Sequence, residues 1–470
     1  MRRGFSALLV ALAAAVAPAP AQAAASELAI ADDRILLYGG PPAVRAVERW
    51  SALGVDSVRI LAYWPRIAPE ALGRRRPGYL RPTDPFSRGY NWSQIDTAVS
   101  LVRGAGMKPM LTLTGPGPVW SSSDPSRRNG RHRPKPSEYA AFVTAAARRY
   151  KGRVARYILW NEPNLNTWLS PQLSCRRGVC RNVSAHVYRR LVRAAVPAIR
   201  RVDPDAEVLI GTMSSRGMVP RSSRSTTRPL AFVRALGCVG PRFQRDRSSA
   251  CRSFAPARAD GFAFHPHGVL TAPDQPFNHP DDINLASIRR LGSALDRLQR
   301  KRRLIPSTRR WNLYLDEYGY QTNPPDRFAG VSPGTQDRWL QRAAYQAWRD
   351  PRVRLFSNYL WQDEPVVRGA TYGGWQSGLL FRNGRGKPAL AHFRMPFVVD
   401  AARWRLWGQV RPGAAHTVTV QRRLPGRGWT RLATRRTDSR GFWTLRTRVR
   451  SGAAYRFRDA SGARSATVTL

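Results

Sequence analysis

Between about residues 27 and 400 the apolar positions fall into two alternating textures. Short strand-like runs occupy Ile35–Tyr38, Ser57–Tyr63, Lys108–Thr114, Arg156–Asn161, Glu207–Thr212, Gly261–His265, Trp311–Glu317 and Arg354–Trp361. Segments of helical period lie between them, clearest at Ser137–Tyr150, Ala185–Arg201, Ile283–Arg300 and Thr335–Trp348, with a weaker one at Ala389–Val399 after the last strand. Strands separated by helices predict βαβ units and a parallel sheet. Eight such units over residues 27–400 match the count and size of a (β/α)8 TIM barrel. A doubly wound sheet is the competing architecture, but no G-x-G-x-x-G follows the first strand. From residue 404 the texture changes to short alternating runs divided by Gly, Pro and Asp-Ser turns, which predicts a small all-β, sandwich-like module over 404–470. No low-complexity linker separates the two parts.

The first residues break this pattern. Met1-Arg2-Arg3 is basic, Phe5 to Ala17 is apolar, and Ala21-Gln22-Ala23 supplies small residues at cleavage spacing. This predicts a signal peptide over residues 1–23, cut near Ala23, and a secreted protein. The apolar stretch is short for a membrane span, and no later segment is apolar for long enough, so no transmembrane segment is expected. The four cysteines fit that address. Cys175 and Cys180 share one Arg/Ser-rich loop and Cys238 and Cys251 another, which predicts two local disulfides. Their spacing suits a zinc site poorly.

Charge adds a constraint on partners. The chain carries 78 Lys+Arg against 30 Asp+Glu, a formal net charge of +48. The basic residues are nearly all Arg and run along the whole chain, whereas a nucleic-acid protein concentrates them in one stripe or module. No specific nucleic-acid partner is expected. The field still favours electrostatic association with acidic envelope polymers or other acidic glycans.

Candidate chemistry lies at two strand ends. The fourth strand ends Trp160-Asn161-Glu162-Pro163-Asn164 and the seventh ends Asp316-Glu317-Tyr318-Gly319. Barrel active sites are built where strands run out into their C-terminal loops. Strand alternation places Leu313, Leu315 and Glu317 on the axial face and turns Asp316 toward the helices; the same count groups Ile158, Trp160 and Glu162. Two carboxylates converging on one cavity are what glycosidic cleavage needs, one to protonate the leaving oxygen and one to attack or to activate water.

These motifs resemble the retaining glycoside hydrolases of clan A, families 5 and 39 among them. The resemblance implies Glu162 as acid/base and Glu317 as nucleophile. It implies that Asn161 bonds a sugar hydroxyl, that Arg59 braces the nucleophile, that His265 matches the strand-six histidine and that Trp361 forms an aromatic floor under the cleaved sugar. His267 stands where the clan often has a tyrosine. His265 and His267 are expected as neutral, hydrogen-bonded residues of a sugar pocket, since no third metal ligand is evident in the sequence; no metal and no cofactor are expected. The function so implied is hydrolysis of O-glycosyl bonds in a carbohydrate substrate by a retaining mechanism. The alternative is an inactive barrel of the same fold that binds acidic envelope glycans. Trp64, Trp120, Trp168 and Trp375 fall in loops of the same face, as subsite walls or as packing.

Overall fold

The structure, a computed structural model, describes residues 26–367 and 374–470. The signal peptide expected over residues 1–23 lies outside the described residues. Eight parallel strands close a barrel in chain order: β1 (Glu27–Ala31), β2 (Ser57–Tyr63), β3 (Lys108–Thr114), β4 (Arg156–Leu159), β5 (Glu207–Ser214), β6 (Gly261–His265), β7 (Asn312–Tyr318) and β8 (Val353–Tyr359). Strand β1 pairs with both β2 and β8, which completes the closure.

The first strand is not where the hydrophobic pattern predicts it. Ile35–Tyr38 belongs to a helix, α1 (Asp33–Tyr38), and the barrel strand is the preceding Glu27–Ala31. Asp32 explains the switch. Its side chain accepts a hydrogen bond from the Ile35 N–H at 3.1 Å, capping a helix just where β1 ends. The helices α2 (Gly40–Ala52), α3 (Ser93–Gly104), α4 (Pro136–Tyr150), α5 (Ser184–Arg200), α6 (Pro229–Leu236), α7 (Ile288–Arg300) and α8 (Pro333–Arg349) follow between the strands. They bury one apolar face each against the sheet, as α5 does with Val187, Leu191, Ala195 and Ile199. Inside the barrel a separate layer of Ala29, Met110, Ile158, Leu209, Ala263, Tyr314 and Leu355 fills the axis, so the barrel is a core and not a pore.

After β8 comes a short helix, α9 (Pro388–Phe393), and then seven strands: β9 (Phe397–Asp400), β10 (Arg405–Gln409), β11 (Thr417–Arg423), β12 (Trp429–Arg436), β13 (Phe442–Arg446), β14 (Ala454–Asp459) and β15 (Val468–Thr469). They form a three-stranded sheet, β9-β10-β13, and a four-stranded one, β12-β11-β14-β15. Phe397, Leu406, Val418, Val420, Trp443, Tyr455 and Phe457 share one core. The helical segment expected at Ala389–Val399 thus ends at Phe393, and Phe397–Asp400 already pairs antiparallel with Arg405–Gly408. The β module draws in residues ahead of the expected boundary at 404. It is joined to the barrel by Trp407 and Phe442, whose rings pack on Tyr345 and Trp348 of α8.

Cys175 bonds to Cys180 across the hairpin of Leu173–Arg176 and Val179–Asn182, and Cys238 bonds to Cys251. Among the described residues no helix is long and apolar enough to cross a membrane.

Candidate active site

The C-terminal ends of β2, β4, β6 and β7 bring Arg59, Asn161, Glu162, His265, Asp316 and Glu317 into one cluster. Arg59 is fully buried. Its Nη1 donates to Glu317 Oε1 at 2.5 Å and its Nη2 to Asn161 Oδ1 at 2.6 Å, while Nε stands 3.1 Å from Asp316 Oδ2. One guanidinium therefore orients residues from two other strands. His265 bridges the rest. Its Nδ1 meets Glu162 Oε1 at 3.2 Å and lies 3.5 Å from Glu317 Oε2, and its Nε2 meets Asp316 Oδ2 at 3.3 Å. His267 Nε2 approaches Glu317 Oε2 at 3.6 Å. All the expected site residues except Trp361 stand together here.

They arrive by a different route from simple alternation. In β7 it is Tyr314 that faces the barrel axis, while Leu313 and Leu315 pack toward the helices. Asp316 shares the parity of Tyr314 and points inward, fully buried, contrary to the expected outward position. Glu317 reaches the mouth as well, because the pairing with β8 slips between Leu315 and Tyr318. A bulge re-aims one residue and lets two neighbours face the same side. A second slip, between Gly211 and Met213 of β5, leaves Thr212 unpaired in the ladder. The Thr212 carbonyl accepts the Glu162 N–H at 2.9 Å and its hydroxyl donates to the Trp160 carbonyl, so this bulge positions the loop that carries Glu162. Strand β4 itself stops at Leu159, and Trp160 and Glu162 both have positive φ, of 71° and 38°. Ile158 and Trp160 consequently do not share a face: Ile158 is axial, and the Trp160 ring sits edge-on to Tyr139 of α4. The close approach of that ring requires a glycine at 115, where a Cβ would lie 2.2 Å from the indole.

The charges in this cluster set each other's protonation. Burial alone would push Glu317 up, but His265 and Arg59 overcome it and hold its carboxyl down at about 2. Burial alone would push His265 down, yet Glu317 and Asp316 raise it to about 10. His265 is thus an imidazolium with both nitrogens donating, not the neutral ring expected from the sequence. The structure also supplies the third ligand that the sequence did not reveal, since ligand atoms of His265, His267 and Glu317 lie within 4.8 Å of one another. The donor set does not suit a cation. Both His265 nitrogens are committed to carboxylates, and the Arg59 guanidinium already covers Glu317.

Trp361 is the residue the structure does not bring in. Its ring packs edge-on to Trp50 of α2 at 6.3 Å, with the Arg49 guanidinium over it. Strand β8 ends at Tyr359, and it is this residue that stands in the mouth, edge-on to His267 and to Trp375. Burial and the Glu317 charge push its phenol well above the usual range. Trp64 and Trp120 are packing residues, Trp64 being stacked on Phe142 with Trp120 edge-on to it. Trp168 is half-buried against Tyr63, and Trp375, 40% exposed, stacks on His267, so these two can line a cleft. Asp33 was not singled out in the sequence. It follows β1 directly, accepts from the Leu61 N–H at 2.6 Å and is pushed up to about 6 by burial, against the pull of Arg59. Its signal was hidden by the misplaced first strand; with β1 at Glu27–Ala31, Asp32 and Asp33 stand at a barrel-strand C-terminus.

Residues 36–267 match the family model described as Cellulase (glycosyl hydrolase family 5). No curated protein matches the chain. Among solved structures, a glucosidase from Croceicoccus marinus superposes with a TM-score of 0.51 at 12% identity, over 93% of this chain and 95% of that one. A family 1 β-glucosidase from Thermotoga maritima gives 0.48 at 13% identity, over 79% and 96%. At 12% identity the first likeness speaks for the fold, barrel and β module together.

Proposed function

We propose that this chain, a glycosidase on the clan A barrel, hydrolyses O-glycosidic bonds of an oligosaccharide or polysaccharide with retention of anomeric configuration, Glu317 acting as nucleophile and Glu162 as acid/base. The observation that carries the reading is the single His265 Nδ1 in contact with both carboxylates, at 3.2 and 3.5 Å. Their nearest oxygens are then closer together than the sum of those distances, which suits the ~5–5.5 Å of retaining pairs and leaves little of the ~6.5–9.5 Å range of inverting ones. The asymmetry of the two environments supports the roles. Glu317 is ionised at any ordinary pH and aligned by Arg59. Among the described residues the Glu162 side chain is tied only through one oxygen to His265, and it is half-buried, open to substrate and water.

In the first step Glu317 attacks the anomeric carbon while the glycosidic C–O bond breaks and the leaving oxygen takes the proton of Glu162. In the second, Glu162 removes a proton from water, the water oxygen attacks the anomeric carbon, and Glu317 leaves as carboxylate. Asn161, its carbonyl oxygen held by Arg59, has an amide nitrogen free of partners among the described residues and suited to a sugar hydroxyl. The reading includes export, supported by the two disulfides and by the signal-like residues 1–23, and attraction to acidic polymers, supported by the charge of +48.

The test is to assay Glu162→Ala and Glu317→Ala on an activated aryl β-glycoside with and without azide, and to assign product anomers by NMR. Glu317→Ala is expected to lose turnover on every substrate. Glu162→Ala is expected to regain it with azide and to release the β-azide, because a small anion attacks the glycosyl-enzyme without a general base. An inverted wild-type product, or equal losses with no rescue, would overturn the assignment.

A further inference from the structure

On the face of the barrel that holds Glu162, the loops after β3, β4 and β5 line an open cavity of about 1160 Å3. That exceeds the ~300–1,000 Å3 of ordinary small-molecule sites, which leaves space for more than one sugar ring. The wall is more polar than apolar, with serines, Asn129, Asn166 and four arginines, Arg127, Arg131, Arg133 and Arg224, beside Pro171 and Leu173. Among the described residues only Arg127 of these has a carboxylate, Asp124, whose Oδ2 lies 2.8 Å from its Nε. Arg131 leans on the Asn129 side chain and, at 3.5 Å, the Asn166 carbonyl. The side chains of Arg133 and Arg224 have no hydrogen-bonding or ion-pair partner among the described residues. Three arginines without counter-charge thus line one concave space, Arg131 half-buried and Arg133 and Arg224 exposed at its rim, and a concave wall of one sign concentrates their field. His132, in the same wall, is lowered by burial and further by Arg127 and Arg133, an independent sign of the local field. Guanidinium forks match carboxylate and sulfate geometry, and the hydroxyls and amides around them match sugar hydroxyls.

The cavity is joined to the candidate active site through one loop. Asn166 in its wall stands four residues beyond Glu162, and Trp168, two further on, packs tilted against Tyr63 at 5.6 Å. Tyr63 ends β2 and is close enough to Glu317 to feel its charge. The loop that carries Glu162 therefore contributes both to this aromatic pair and to the wall of the basic cavity. The opposite side of the mouth, with His267, Tyr359 and Trp375, is aromatic.

We propose that this cavity is a subsite for an anionic saccharide unit on the leaving-group side of the scissile bond, so that the substrate is an acidic glycan. The side is assigned because Glu162, the residue that protonates the leaving oxygen, shares a loop with the cavity wall; this part rests on the function proposed above, whereas anion binding in the cavity does not. A uronate carboxylate and a sulfate ester present the same chemistry to the arginines.

The experiment measures binding to the silenced Glu317→Gln protein by calorimetry, using a galacturonate oligosaccharide, its carboxyl-reduced neutral counterpart and a sulfated oligosaccharide of equal length. At low salt an acidic oligosaccharide is expected to bind at least tenfold more tightly than the neutral one, the preferred acid identifying the source of the anion. Adding Arg131→Ala, Arg133→Ala and Arg224→Ala is expected to abolish that preference. Removing three exposed charges on β12 instead, Arg431→Ala, Arg435→Ala and Arg436→Ala, is expected to leave it within twofold. Equal binding of acidic and neutral chains, or a preference lost equally in both triple variants, overturns the proposal, the second result assigning the effect to the diffuse field. A cavity-dependent preference in a protein that hydrolyses no glycoside would sustain the site and overturn the retaining mechanism. Turnover with azide rescue and no acidic preference would do the reverse.

Discussion

The barrel holds two buried charge clusters, one at each end. At the floor, Arg156 donates through Nε to Glu207 at 2.5 Å and through both terminal nitrogens to Glu27, at 2.7 and 3.1 Å. Ser57 and Lys108 complete Glu27, and the Tyr314 hydroxyl donates to the second oxygen of Glu207. Every carboxylate oxygen there has a donor. At the mouth the bonding is incomplete. Among the described residues Asp316 Oδ1 and Arg59 Nε are buried without a hydrogen bond, and Glu162 is held by one side-chain oxygen alone. The mouth also packs Asp316, Glu317 and Glu162 around one imidazolium, where the floor spaces two glutamates on opposite edges of Arg156. Burial and ion pairing are common to both clusters and so do not mark a site. What differs is unspent bonding capacity beside like charges, the condition under which a substrate can still improve the electrostatics.

Exchanging one residue in each cluster should separate the two most widely. Glu317→Gln keeps the shape of the mouth but removes the attacking charge, and kcat/KM on an activated aryl glycoside is expected to fall by about 10^4-fold or more in protein that is still fully folded at the assay temperature. Arg156→Met takes the arginine from buried Glu27 and from half-exposed Glu207 and is expected to lower unfolding stability by about 2–3 kcal/mol, with kcat/KM within twofold below the melting range. Urea unfolding and initial rates on the same preparations check both. A loss of turnover in Arg156→Met without loss of stability would erase the distinction.

The clusters also explain which parts were legible in the sequence. Glu162 and Glu317 were visible because each follows an apolar run long enough to read as a barrel strand. The first strand was not, since Glu27 interrupts its pattern and the partner that makes a glutamate acceptable there, Arg156, is 129 residues away. Alternation along β7 and β4 failed for a related reason. The bulges that turn Glu317 inward and hold the Glu162 loop arise from pairing with β8 and β6, which no local pattern records. The resemblance implies an aromatic floor at Trp361, where the apolar run closes, but the strand stops two residues earlier and the indole goes to Trp50. The basic cavity is assembled from three loops without any motif, so only tertiary structure exposes it.

A sharper contrast comes from alkali. His265 is raised from 6.5 to about 10, so its contribution to stability is complete below about pH 6.5 and is lost as pH rises toward 10. Glu27 at the floor is lowered from 4.5 to about 2, so its contribution is complete above pH 4.5 and is lost only as pH falls toward 2. Asp32 and Asp33, raised to about 7 and about 6, titrate below the alkaline window. Between about pH 7 and 10 the wild type is therefore expected to lose about 2–4 kcal/mol that His265→Gln does not lose. Denaturant midpoints measured across that range are the check, and parallel profiles for the two proteins would return His265 to the neutral state expected from the sequence.

The smallest expected effect decides which aromatic residue belongs to the mouth. Tyr359 lies against His267 and within the field of Glu317, so Tyr359→Phe removes a hydroxyl that feels the attacking carboxylate without opening a void. A fall in kcat of about 5–10-fold is expected, with stability nearly unchanged. Trp361→Phe removes half of an indole from the contact with Trp50 and Arg49, behind the barrel wall. That change is expected to lower stability by about 1–3 kcal/mol through the space it leaves, and to keep kcat within twofold. Rates measured well below the melting temperature separate the two outcomes, because a packing defect acts on the fraction folded while a missing hydroxyl acts on each turnover. A larger loss of kcat in Trp361→Phe than in Tyr359→Phe would move the aromatic floor back to Trp361 and require the end of β8 to turn its indole into the cleft.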